Sequence, residues 1–234
     1  MPEHPDLARL RSEYAERAKS VEPGRYSLFN PAQLFAIQSR QRAVLQCLRE
    51  NGFSTLKGRR ILELGCGSGG VLLETLSFGA VPGTLHGADL LFTRLRAARQ
   101  PLASLPLLCA DGQMLPYASE SFDLTMQFTV FSSVLDDEVR RNMAQEMLRV
   151  TRPDGLILWY DFWLNPTNLL TRGIRPSEIH ALFPGCTFQF RRITLAPPIA
   201  RRLVPLSWTF SLLLENLKIF NTHHLVVIRC PAPR

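Results

Sequence analysis

A chain of 234 residues with 46% hydrophobic and 20% charged residues has the apolar material for one large α/β domain and lies far from the composition of disordered chains. Its net charge of +7 leaves room for an acidic partner, and 24 of the 27 basic residues are arginine, a bias whose scatter along the chain fits GC-rich coding better than a dedicated patch. Five widely spaced cysteines without a C-x-x-C pair read as reduced structural thiols and leave no zinc site or other metal centre to propose.

The first twenty residues carry charge throughout and read as neither a secretory signal nor a membrane anchor. Residues 6–20 and 31–50 are predicted helices, the second stopped by Asn51-Gly52. "VEPGRYSLFNP" between them is a turn-rich connection, expected to act with the helices as an amino-terminal lid over residues 1–56, with Arg25 and Tyr26 reaching substrate. From residue 59 strands and helices alternate. "RRILELG" is a buried strand, "GGVLLETLSFG" a helix, "GTLHGADL" a strand, "FTRLRAARQPL" a helix and "LPLLCADG" a third strand. "SFDLTMQFTVFSSV" is a fourth strand, "DDEVRRNMAQEMLRVTRPDG" a strongly amphipathic helix and "GLILWYDFW" a fifth strand. This rhythm implies a parallel, doubly wound sheet in a single domain, with residues 57–164 as the cofactor-binding core. Beyond it, residues 165–234 hold a short helix "PSEIHALF", an edge-like strand "CTFQFRRITLA", an apolar helix over 203–220 and a last strand "THHLVVIRCP". The apolar run at 203–214 is too short to span a bilayer, which needs about 20 residues, so a cytoplasmic protein is expected.

The loop "GCGSGG" poses a choice of ligand. Gly65, Gly67 and Gly70 fit the spacing of a dinucleotide turn, whereas Gly65, Gly67 and Gly69 fit another nucleoside-binding loop. Glu63 would repel a dinucleotide's phosphates but could help hold an ammonium group, and Asp111 after the third strand could accept a hydrogen bond from an adenine amine.

With "ILELGCGSGG", "GADL", "CADGQMLPYASESFD" and "MLRVTRPDGLILWYDF" in order, the chain resembles the class I S-adenosylmethionine-dependent methyltransferases, in their small-molecule, type 11 branch. The resemblance implies a Rossmann-like seven-stranded doubly wound sheet whose last strand is antiparallel beside the fifth, and S-adenosylmethionine as cofactor. It also implies that Glu63 and Gly65, Cys66 and Gly67 hold the methionine portion, that Asp89 with Leu90 takes the ribose, and that Asp111, Gly112 and Gln113 take the adenine. Gln127 is a further cofactor neighbour, with a buried structural amide as its alternative.

Methyl transfer to an alcohol needs a positioned base. Asp161 at the end of the fifth strand ranks first, with a turn cap as the alternative; His180, otherwise a surface helix residue, and the pair His223 and His224 follow. Tyr160, beside Asp161, is a candidate substrate contact. The fourth strand ends in "MQFTVFSS" without the [DN]-P-P-[YF] tetrad of enzymes that methylate exocyclic amines of bases. The expected reaction is therefore O-methylation of a small molecule, a glycan precursor or secondary metabolite, anionic or amphiphilic in character. Neither DNA nor a transmembrane segment belongs to this reading. A cofactor-binding regulator without turnover is the alternative, and RNA methylation ranks below it because no RNA-binding module is present.

Overall fold

The computed structural model describes residues 4–20, 24–165 and 170–229. Helix α1 (Pro5–Ser20) precedes α2 (Pro31–Glu50), whose start is fixed by Asn30 accepting the Ala32 amide at 3.1 Å and by Pro31 at the first turn. Strands β1 (Ile61–Leu64), β2 (Leu85–Asp89), β3 (Leu107–Cys109), β4 (Phe122–Phe128) and β5 (Thr151–Phe162) alternate with α3 (Gly70–Ser77), α4 (Phe92–Arg99) and α5 (Asp137–Val150). Then come α6 (Pro176–Leu182), β6 (Thr187–Leu195), α7 (Pro197–Leu203), α8 (Trp208–Asn216) and β7 (Asn221–Arg229).

The sheet order is β3-β2-β1-β4-β5-β7-β6, parallel from β3 to β5, with β7 inserted antiparallel between β5 and β6. The seven-stranded, doubly wound arrangement expected from the sequence is therefore what the chain adopts. Because β1 lies between β2 and β4, the connections after β1 and β4 leave in opposite directions and open a crevice at the carboxyl ends of the strands, where such sheets bind ligands.

Both faces are covered. Helices α2, α3 and α4 pack on one side with Leu72, Leu95 and Val44 in the principal core, so α2 is part of the body of the domain as well as a neighbour of the site. On the other side α1, α5 and α6 pack over Trp159 and Phe131. Helix α5 buries Val139, Met143, Met147 and Val150 along one stripe, worth roughly 2 kcal/mol apiece in apolar burial, and Asp136 caps it by accepting the Glu138 and Val139 amides.

Two expectations need correction. The helix expected over 203–220 is shorter, α8 at Trp208–Asn216, because α7 ends at Leu203, Pro205 cannot continue it, and Ser207 starts α8 by accepting the Phe210 amide. Cys186 is disulfide-bonded, so not all five thiols are reduced; Cys47, Cys66 and Cys109 are free. Among the described residues no helix is long and apolar enough to cross a membrane.

Candidate active site

At the end of β1 the chain must turn sharply beneath β4. Gly65 takes φ +72°, and a Cβ there would stand 2.3 Å from Val130 Cγ2, so only glycine fits. The bend is fastened by the Gly65 and Cys66 amides donating to the Ala88 carbonyl at 2.7 and 3.1 Å. Asp89 clamps the loop from β2: its Oδ2 accepts the Gly67 amide at 2.7 Å and its Oδ1 the Leu91 amide at 2.8 Å.

Around this loop lies a cavity of about 570 Å³, lined by Gly65, Ser68, Asp89, Leu90, Asp111 and Gly112 from the strand ends. Its outer wall is α1, through Leu7, Leu10 and Tyr14. Arg94 joins the two sides, since its guanidinium lies 4.9 Å from the centre of the Tyr14 ring and directly against Gly67. Glu63 stands behind the loop, 2% exposed, with Oε2 lacking a partner. Burial pushes its carboxyl up to about 8, Arg40 pulling the other way and Glu74 and Asp89 adding to the rise. A buried acid of this kind, beside a backbone turn too tight for a Cβ, fits a ligand that brings its own positive charge.

A second cavity of about 1010 Å³ adjoins the first, and Tyr14, Tyr26, Thr129 and Ser133 line both. Its far wall is apolar, with Trp163, Leu164, Pro198, Ile219 and Phe220, while Arg25 and Arg201 supply cations. Thr129 sits at the junction with φ +59°, a left-handed conformation costly for a β-branched residue, held by its amide donating to the Tyr160 carbonyl at 2.7 Å.

The structure gathers part of the residues singled out from sequence. Gly65, Asp89, Leu90, Asp111 and Gly112 line the first cavity, Arg25 the second, and Tyr26 both. The others lie outside both cavities. Cys66 is buried against Gly87, and burial pushes its thiol up. Gln113 spans from Asp111 to Asn142, and Gln127 accepts the Val130 amide at 3.0 Å, so each shapes a loop of the site. Tyr160 points into the core, where its hydroxyl pairs with that of Thr194 at 2.9 Å and burial pushes it up to about 12. His180 is on the outside of α6, its ring 4.1 Å from that of Phe188. His223 is buried against Tyr160, and burial pulls it down to about 3; His224 is pulled down to about 4.

Asp161 is fully buried on the same face of the sheet as Trp159. It accepts the Ser132 amide at 3.1 Å and the Phe162 amide at 2.8 Å. Burial pushes the carboxyl up to about 6, against the Ser132 and Gln127 side chains, which pull it down. Asp161 thus reaches the second cavity only through Ser132, which lines it. Sequence reading missed Tyr14, Arg94, Thr129, Ser132 and Ser133. The three hydroxyls inside the apolar run "FTVFSSV" were the available signal, and Tyr14 continues the Leu7 and Leu10 spacing of α1.

A doubly wound sheet with a nucleoside-sized cavity at its switch point defines a Rossmann-like nucleoside-binding domain. Residues 62–159 match a family model described as a methyltransferase domain. Over 118 residues the chain is 36% identical to phthiotriol/phenolphthiotriol dimycocerosates methyltransferase 1 of Mycobacterium ulcerans (strain Agy99), a match covering 48% of this chain and 40% of that protein. An uncharacterized methyltransferase of Mycobacterium avium (strain 104) is 28% identical over 181 residues, 69% of this chain and 63% of that one. The matches thus span less than two thirds of either relative. The Haemonchus contortus phosphoethanolamine N-methyltransferase 1, solved with phosphoethanolamine and S-adenosylhomocysteine, shares the fold with a TM-score of 0.64 at 12% identity, over 99% of this chain and 50% of that one. Residues 62–159 are thus similar to a methyltransferase domain, and the chain shares its fold with methyltransferases of known structure.

Proposed function

We propose that this chain transfers a methyl group from S-adenosylmethionine to a hydroxyl of an amphiphilic small molecule. The observation that carries the reading is the junction of a cofactor-sized and a larger, partly apolar cavity at Thr129 and Ser133. When bound, the cofactor supplies an electrophilic methyl on a sulfonium. Gly65, with Gly67 and the buried Glu63 directly behind the cavity wall, would hold its amino acid end, Asp89 and Leu90 its ribose, and Asp111 and Gly112 its adenine, which directs the methyl toward Thr129. Helix α1 and Tyr26 cover that point and exclude water.

The acceptor hydroxyl would lie against Ser132 and Ser133, its apolar part along Trp163 and Phe220, with Arg25 and Arg201 taking an anionic or polar head. A proton leaving the acceptor can pass to the Ser132 hydroxyl as that hydroxyl gives its own to Asp161, whose raised affinity for protons suits it to receive one near neutrality. Asp161 is then a positioning and proton-holding residue acting through Ser132. The relative named for a triol supports a hydroxyl acceptor.

A cofactor-binding protein without turnover is the second reading, favoured because the acids lining the second cavity, Glu13 and Glu16, stand on α1 and Glu13 is already paired with Arg9. Methyl-labelled cofactor incubated with the protein and a fractionated extract separates the two. Label in a lipid or glycolipid fraction is the expected result; label in RNA, or tight cofactor binding with no label in any fraction, overturns it.

A further inference from the structure

Helix α8 packs Trp208, Leu212 and Leu214 partly against the core, buries two polar side chains beside them and leaves other large apolar side chains facing outward. Ser211 and Glu215 are buried, Glu215 accepting the Ser39 hydroxyl at 2.6 Å and the Leu195 amide at 3.3 Å, which fixes the rotation of the helix. Phe210, Leu213 and Leu217, spaced by three and four, therefore form one exposed stripe, with Leu213 61% exposed. Leu206, 81% exposed, extends the stripe ahead of the helix, and Ile219 and Phe220 extend it behind, into the wall of the acceptor cavity. Across the cavity Tyr26 and Asn30 form the other lip, and Phe29 between them is 99% exposed. An apolar surface of this kind, continuous with a cavity mouth, marks an interaction site.

Its charge selects the partner. Residues 197–221 carry Arg201, Arg202 and Lys218, all exposed, and one acid, Glu215, which is buried. A second copy of the chain docked there would oppose these cations to their own images, whereas an anionic surface would attract them.

We infer that α8, the turns on either side of it and the 24–30 lip lie on an anionic lipid bilayer, from which the acceptor enters the adjoining cavity. This inference rests on that cavity being the acceptor site. The apolar stripe would sit among the acyl chains' upper portion with the arginines at the headgroups, as for helices that lie in the membrane plane without crossing it. Each basic residue near such a surface is worth roughly a fivefold gain in partition.

The test is co-sedimentation of the full chain with vesicles of equal parts phosphatidylglycerol and phosphatidylcholine, and with vesicles of phosphatidylcholine alone. The protein is expected to pellet with the anionic vesicles and to bind neutral ones at least tenfold less, by roughly fivefold for each of its exposed basic residues. One variant carries Phe210→Gln, Leu213→Gln and Leu217→Gln, and another Arg202→Gln and Lys218→Gln; each is expected to lose more than about tenfold in partition with an unchanged melting temperature. Wild-type protein that stays in the supernatant with both vesicles overturns the inference, as does a stable dimer in light scattering that only the triple variant dissolves. Calorimetric titration with S-adenosylmethionine runs alongside. Cofactor binding without vesicle binding removes this inference alone, while vesicle binding without cofactor binding removes the functional reading and leaves the docking surface.

Discussion

The Tyr14 hydroxyl of α1 stands 3.3 Å from the Ser133 hydroxyl in the loop after β4, so the amino-terminal helix touches the point where the two cavities meet. That contact is held by anchors one and two turns earlier. Asp6 Oδ2 accepts the Leu135 and Asp136 amides at 2.9 and 3.1 Å, and Arg9 donates to the Ser133 carbonyl at 2.8 Å.

Asp6→Ala leaves both amides without their carboxylate and loosens the wall over the cofactor. Losing such charge-assisted bonds costs about 2 kcal/mol, so cofactor affinity is expected to fall at least tenfold in calorimetry and α1 to become the first site of limited proteolysis. Unchanged affinity together with an unchanged cleavage pattern would show that α1 does not cover the cofactor.

Glu63 predicts how cofactor binding depends on pH. Without ligand its carboxyl is held neutral up to about 8. A cationic group placed beside it favours the ionised form and lowers that value, so binding releases a proton and affinity rises with pH below 8, by up to about tenfold per unit. Calorimetry in buffers of differing ionisation enthalpy measures the released proton directly. In Glu63→Gln the slope is expected to vanish; a slope equal to wild type assigns the proton to another group.

What could be read from the sequence was local. The stop of α2 at Asn51-Gly52, the strand-helix alternation and the placing of Gly65, Asp89 and Asp111 at strand ends all depend on neighbours within a few positions, and strand ends converge wherever a parallel sheet forms. His180 and Asp161 could not be placed this way. Which way His180 faces is set by α6 packing on α5, and what Asp161 meets is set by Ser132, twenty-nine positions away, in a loop whose course depends on the left-handed turn at Thr129. The break at Pro205 was legible and was read through, because the apolar composition on both sides suggested continuity.

Asp161 makes a prediction about stability whose sign differs from that of a surface carboxylate. Its folded value is about 6 against 3.8 for the free side chain, so the folded state binds the proton more tightly. The associated stability is fully present below 3.8 and is lost as pH rises through 6, amounting to about 3 kcal/mol by neutrality. Denaturant unfolding of wild type should therefore weaken between these limits relative to Asp161→Asn, which lacks the titrating group. If Asp161 also takes the proton from Ser132, the acid limb of kcat near 6 disappears in the same variant, and KM stays within about twofold. A retained acid limb would assign the base elsewhere.

Thr129 tests whether the strained turn at the cavity junction is kept for function. At φ +59° a β-branched side chain costs on the order of 1 kcal/mol or more, whereas asparagine adopts this region readily. Thr129→Asn is therefore expected to raise the melting temperature by about 2–4 °C. The same change puts a longer polar side chain at the place both cavities share and displaces the acceptor from the line of methyl transfer, so kcat/KM is expected to fall at least tenfold while cofactor affinity changes little. A variant that is both more stable and fully active would mean that the junction at Thr129 takes no part in aligning the acceptor, and the strain there would have to be traced to the Tyr160 carbonyl that holds it.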